Sequence, residues 1–199
     1  DKPVAICRLK RVAADHKDNI SARLPVIPSE KNGKRVACIG AGPASLTVAN
    51  DLLPLGYEVV IFEQWDKPGG LMRTNIPAFR LPETVLAEEI GYIEQMGAQI
   101  RYNSRIDSMR KLLETGGFDA VFVGSGAPKG KELKLPGRTE GGANIHIGIN
   151  WLESVAFKHL DRIGEKVLII GVGNTAMDCC RSSLRLGARE VKVMARKPR

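Results

Sequence analysis

Val36-Ala37-Cys38-Ile39-Gly40-Ala41-Gly42-Pro43-Ala44-Ser45, residues 36–45, is the stretch that decides the fold. Its first four residues form an unbroken apolar run of strand length, the pattern of a strand buried on both faces. The run passes straight into Gly-x-Gly-x-x-Ser and then into a helical period from Ala44 to Leu53, which Pro54 stops and Gly56 closes. A glycine turn between a strand and a helix is the dinucleotide fingerprint. Gly40 permits the tight turn, and Gly42 lets the backbone approach a pyrophosphate. The phosphate then rests on the helix N-terminus and its partial positive charge. The third position is normally Gly or Ala, and Ser45 is small enough for the same close packing.

Working outward, Val59-Val60-Ile61-Phe62 is a second strand, and Glu63 ends it 23 residues after Gly40. An acid at that place takes ribose hydroxyls. A Gly/Pro-rich loop covers 66–82, a helix runs from Glu83 to Met96, and strands follow at 99–102 and 120–123. Strands alternating with helices of these lengths imply a parallel sheet with right-handed crossovers. After a less regular stretch with a short helix near Asn150, the alternation restarts. Residues 166–170 form a strand, 174–186 a helix and 191–194 a strand.

The restart carries a second fingerprint, Gly171-Val172-Gly173-Asn174-Thr175-Ala176. Here Ala195-Arg196-Lys197 stands where an acid is expected. A carboxylate there repels a 2′-phosphate, whereas a guanidinium holds it bidentately, so this second site prefers NADP(H). The competing reading is that residues 196–199 are a solvated basic run. Two sites, one ending in an acid and one in bases, imply two cofactors, a flavin dinucleotide and a nicotinamide. The expected fold class is α/β, a Rossmann-like FAD-binding domain followed by the start of a second Rossmann-like NAD(P)H-binding domain. The expected division is a connecting arm at 1–32, the FAD-binding part at 33–127, a connection at 128–164 and the NADP(H)-binding start at 165–199.

Composition agrees with a globular chain. Of 199 residues, 43% are hydrophobic and 26% charged, which excludes a disordered tail, and no apolar run is long enough to span a membrane. The first residue is not Met and no leader precedes the fold, so a cytoplasmic piece of a longer protein is expected. The net charge of +8 raises the question of nucleic acid. Residues 1–35 hold 9 basic and 4 acidic groups, and residues 181–199 hold 7 and 1. The excess therefore sits at the ends. No aromatic residue interleaves the C-terminal bases to stack on nucleotides, so nucleic acid is not an expected partner. The four cysteines lack metal spacing and the three histidines lack ligand neighbours, so no metal site is expected.

Gly40 to Ser45, Phe62-Glu63, Gly69-Gly70-Leu71, Ile76-Pro77-Ala78-Phe79-Arg80-Leu81-Pro82 and Gly173-Asn174-Thr175-Ala176-Met177-Asp178 together resemble the glutamate synthase small-subunit family. They are also similar to the flavin and NADPH region of dihydropyrimidine dehydrogenase. The resemblance covers residues 3–199. It implies that Gly42, Pro43, Ala44, Ser45 and Leu46 line the FAD pyrophosphate, that Glu63 binds its ribose, and that Gly70 and Leu71 run beside the ribityl chain. It implies that Arg80 contacts the flavin, and that Ile106 offers backbone to the adenine. A loop salt bridge for Arg80 and plain core for Ile106 are the alternatives. Val172 to Thr175 would cradle the NADPH pyrophosphate, with Arg196 and Lys197 on the 2′-phosphate. The activity implied is hydride transfer from NADPH to FAD, with electrons passing on to an iron–sulfur cluster before Asp1 or in an electron-accepting large subunit. Such chemistry needs no side-chain acid, base or nucleophile, and no catalytic residue is expected. The family pattern departs at Val123-Gly124-Ser125-Gly126-Ala127, where only a hydroxyl and a glycine are kept.

Overall fold

Ahead of the first sheet lies a helix, α1 (Ile6–Asp15), none of whose residues is buried. The central pair follows. β1 (Arg35–Ile39) and β2 (Glu58–Phe62) run parallel, with Ile39 opposite Phe62. Ala37, Cys38, Val59, Val60 and Ile61 have no exposed surface. Near-continuous apolar strands are what a sheet covered on both faces requires. In the computed structural model, which describes residues 3–196, β3 (Gln99–Arg101) and β4 (Ala120–Val123) complete a parallel sheet of order β3-β2-β1-β4.

Helices cover both faces. On one side α2 (Pro43–Leu52), the turn that follows it and a longer helix after the loop bring Leu46, Ala49, Leu53, Leu86 and Ile90 against Val36, Cys38, Val59 and Ile61. Pro54 does stop α2, but through a tightened turn over Leu53–Leu55 that Gly56 closes in the left-handed region at φ 84°. Within the loop a four-residue turn, α3 (Leu71–Thr74), precedes α4 (Glu83–Gln95). On the opposite face Ala37, Val60 and Phe62 pack against Leu112 and Phe118. Leu112 belongs to α5 (Met109–Thr115), which the sequence reading did not anticipate. Only one of its seven residues is buried, so its apolar period is too short to stand out. Its signal is Ser108, whose hydroxyl accepts the Lys111 N–H at 3.3 Å as an N-cap.

The second unit repeats the arrangement. α6 (Gly148–Ala156) leads to β5 (Lys166–Ile170), α7 (Asn174–Arg185) and β6 (Glu190–Met194), with β5 and β6 parallel and Ile170 opposite Met194. Trp151, Leu152, Ile169 and Cys179 form its core, joined by Val167 and Val191. The other face of this pair, with Leu168, Ile170 and Met194, is exposed.

The N-terminal basic excess finds partners here. Lys17 bonds Glu89 at 2.6 Å, Lys34 bonds Asp119 at 2.8 Å and Arg35 bonds Glu58 at 3.0 Å, so arm and strand cations sit against acids of the α/β core. The Glu89 carboxylate holds the Lys17 ammonium above its usual range. Exposed pairs of this kind add little stability. They fix where the arm lies more than whether the sheet folds.

Candidate functional site

The first loop is built from close backbone approaches. Gly40 has φ +89°, and a Cβ there would lie 2.8 Å from the Gly124 carbonyl oxygen. Its N–H donates to the Phe62 carbonyl at 2.7 Å, which pins the turn to the end of β2. Gly70 has φ +51°, and a Cβ there would lie 2.9 Å from the Gly42 Cα. The two glycines thus approach each other closely, forming a cradle that a side chain on Gly70 would fill. No side chain caps α2, and Pro43 occupies its first turn. The Leu46 N–H is taken by the Gly42 carbonyl at 3.1 Å, and the Leu46 side chain is in the core. Ala44 and Ser45 therefore hold the first-turn N–H groups that a helix terminus leaves without carbonyl partners.

Ser45 explains the departure at the end of β4. The residue is fully buried, and its Oγ is the one buried side-chain polar atom without a hydrogen-bond partner among the described residues. A Cβ on Gly124 would collide with that oxygen. Serine at the third fingerprint position and glycine after β4 are therefore one packing solution.

Glu63 is 5% exposed and ties the loop together. One carboxylate oxygen accepts the Ala41 N–H at 2.8 Å and the other the Trp65 N–H at 3.0 Å. A carboxylate accepts about four hydrogen bonds, so both oxygens keep a lone pair for hydroxyl donors. Leu71 is exposed beside the cradle, as the first residue of α3. Ile106 packs its side chain against the Ala37, Val60 and Phe62 cluster, which is the core alternative for that residue.

The second loop has the same plan with a different end. The Gly171 N–H donates to the Met194 carbonyl at 2.8 Å, the counterpart of the Gly40 bond, and Gly173 precedes α7 without a side-chain cap. Val172, Gly173, Asn174 and Thr175 are exposed. Because Ile39 pairs with Phe62 and Ile170 with Met194, Ala195 stands at the register position of Glu63. Arg196, exposed, is one residue beyond. Lys197 lies outside the described residues.

Between the two units lies the loop of Ile76 to Leu81. Arg80 donates to the buried Asp178 carboxylate at 2.6 Å, so the salt-bridge alternative for Arg80 is the arrangement present. A cavity of about 260 Å³ opens beside it, lined by Met72, Ile76, Phe79, Leu152, Val155 and Leu186. Among the described residues, no group of three or more His, Cys, Asp or Glu is placed to hold a metal.

All four cysteines are free. Burial pushes the Cys38 and Cys179 thiols up to about 11, with the Asp178 charge adding to the rise at Cys179. Only thiolate attacks a disulfide reagent, and a thiol raised that far has about 0.1% thiolate at pH 8. In the folded protein at pH 8, an aromatic disulfide should label the exposed Cys7 at least ~100-fold faster than Cys38 or Cys179. Equal rates by mass spectrometry would contradict the burial described.

Residues 34–199 match the family described as pyridine nucleotide-disulphide oxidoreductase. The chain belongs to that family. As a pyridine nucleotide-disulphide oxidoreductase it is 37% identical, over its whole length, to the NADP(+)-dependent formate dehydrogenase subunit beta of Moorella thermoacetica, of which it spans 31%. It is 33% identical over 88% of its length to the glutamate synthase [NADPH] small chain of Azospirillum brasilense, spanning 39% of that protein. The resemblance to the glutamate synthase small chain therefore holds. Its fold matches that of FprA from Mycobacterium tuberculosis in complex with NADPH, with TM-score 0.68 and 21% identity over 82% of this chain and 44% of that one.

The sequence alone points to no role for Gly124 or Asp178. Gly124 is visible as a departure from the family pattern, but its closeness to Ser45 joins the end of β4 to α2, 79 positions apart in the chain. Asp178 stands two residues after the second fingerprint, and only the third dimension brings Arg80 to it.

Proposed function

We propose that the first loop binds FAD and the second binds NADP(H), so that the chain carries electrons from NADPH through FAD to an electron-accepting subunit. The observation that carries this reading is the repeated loop with two different ends. Both units pin their first glycine to the next strand's last carbonyl, yet one ends in Glu63 and the other in Ala195 and Arg196. The cradle at Gly42 and Gly70, which a Cβ on Gly70 would fill, suits a pyrophosphate against an uncapped helix terminus. When bound, NADPH supplies a hydride and FAD accepts it and releases electrons singly.

The chain's own part is binding and orientation. Ala44 and Ser45 would offer backbone N–H to the FAD phosphates, Glu63 would accept ribose hydroxyls, and Leu71 would cover the cradle's edge. Gly171, Gly173, Asn174 and Thr175 would serve NADP(H) in the same way, with Arg196 on the 2′-phosphate. Arg80 would turn its remaining guanidinium donors to the flavin, and the Ile106 backbone remains our proposal for the adenine. The relatives named as a subunit beta and a small chain support a partner subunit that takes the electrons, with the iron–sulfur centre there or elsewhere in the polypeptide. Free thiols and the absence, among the described residues, of a helix able to cross a membrane suit a cytoplasmic setting.

Equilibrium binding tests the assignment. One FAD and one NADP+ per chain are expected, each without displacing the other. Competition between the two for a single site would overturn it.

A further inference from the structure

We infer that Asp178 is a positioning residue that fixes Arg80, and through it the Ile76–Leu81 loop, against the second nucleotide unit. This rests on the proposed flavin role of Arg80 only for its consequence in catalysis. The structural part stands on the contacts.

Asp178 is 3% exposed and lies in the second turn of α7, four residues after Asn174. A carboxylate so buried needs partners, and it has two. Arg181 donates to Oδ1 and Arg80 to Oδ2, each at 2.6 Å. Arg181 is three residues away on the same helix, whereas Arg80 comes from another part of the chain, 98 residues away. Losing Arg80 would thus leave one buried oxygen short of its partner.

The loop is held at further points. The Arg185 guanidinium lies 3.8 Å from the Phe79 ring centroid, and Asn75 donates to the Ile149 carbonyl at 2.8 Å. From the other side, Arg11 of α1 donates to the Arg80 carbonyl at 3.0 Å. The backbone and one prong of Arg80 are therefore fixed.

The Arg80 side chain as a whole remains 39% exposed. A guanidinium carries five donors, so anchoring one nitrogen on Asp178 leaves donors free in a set direction. A cation held this way meets a ligand without first losing rotamer freedom. The same carboxylate is rooted on the helix whose N-terminus ends the second loop. Asp178 thus couples the two candidate sites through one side chain.

A double-mutant cycle with Asp178→Asn, Arg80→Ala and the pair tests this, read in two ways. Without nucleotides, amide exchange over residues 76–82 should rise ~10-fold in either single variant and no further in the double, the pattern of directly coupled groups. In the flavin-loaded protein, each single variant should slow NADPH-driven flavin reduction ~10-fold with the NADPH KM changed less than threefold, and the double should match the singles. Multiplicative effects in either readout, or an unchanged loop in Asp178→Asn, would overturn the inference. If wild-type protein takes up no FAD, the functional proposal fails while the exchange cycle still decides the role of Asp178.

Discussion

Gly40→Ala should abolish stable FAD retention while leaving a folded, less stable protein. Two costs combine at this position. Alanine at φ +89° is strained, by about 1–2 kcal/mol. Its Cβ also sits 2.8 Å from the Gly124 carbonyl, which is backbone and cannot rotate away, adding about 1–3 kcal/mol of overpacking. Relief requires β4 to shift from β1 at the point where the loop leaves the sheet. The turn that aims Gly42 and the α2 terminus at a phosphate then moves with it. A weakening of FAD binding of at least ~30-fold is expected, read by equilibrium dialysis, with helix content by circular dichroism near that of the parent. Gly33→Ala separates the two costs. Gly33 also has a left-handed φ, +77°, but no atom within 4 Å of its Cβ position. That variant should lose about 1 kcal/mol of stability and keep its FAD. Equal loss of FAD in both variants would show that strain, not the close approach, governs the loop.

The second large effect concerns the nicotinamide choice. Arg196→Ala should raise the Kd for NADPH by ~30–100-fold and change the Kd for NADH less than threefold, since a charge-assisted bidentate contact contributes about 2–3 kcal/mol. The effect should shrink as salt rises, because Arg196 is exposed and its charge is screened. Ala195→Glu tests the same site from the opposite direction. It puts a carboxylate at the register position that Glu63 occupies in the first unit, where it would repel a 2′-phosphate and accept ribose hydroxyls. The double variant should therefore prefer NADH. If both nucleotides weaken together in Arg196→Ala, Arg196 touches a part common to NADPH and NADH and does not read the 2′-phosphate; if neither affinity changes, the solvated-run reading of the C-terminal bases stands.

These expectations begin in the sequence, and the elements it revealed share a property. β1, β2 and β5 are apolar runs, and each is bounded by a glycine or an acid whose spacing is local. The order of strand, glycine loop and helix needs no knowledge of distant residues. What the sequence concealed is of two kinds. α5 buries one side chain, and its apolar period is too short to notice; α1 does space Ile6, Leu9 and Val12 at helical intervals but buries none of them, and Pro25 and Pro28 make residues 1–32 read as a connecting arm. The decisive contacts of the site join distant stretches: Gly40 with Gly124, Gly42 with Gly70, and Arg80 with Asp178. A glycine chosen to admit another glycine's backbone looks, in one dimension, like any other loop glycine. The basic N-terminus was also opaque, because its partners Glu89, Asp119 and Glu58 lie in the core units.

The pairing of an acid-ended site with a base-ended one is the centre of the account, and anaerobic reduction tests it most directly. FAD-loaded protein mixed with one equivalent of NADPH should lose its flavin absorbance near ~450 nm, and at low nucleotide concentration at least ~10-fold faster than with NADH. A protein that takes up no FAD, or one whose flavin band survives NADPH unchanged, would contradict it.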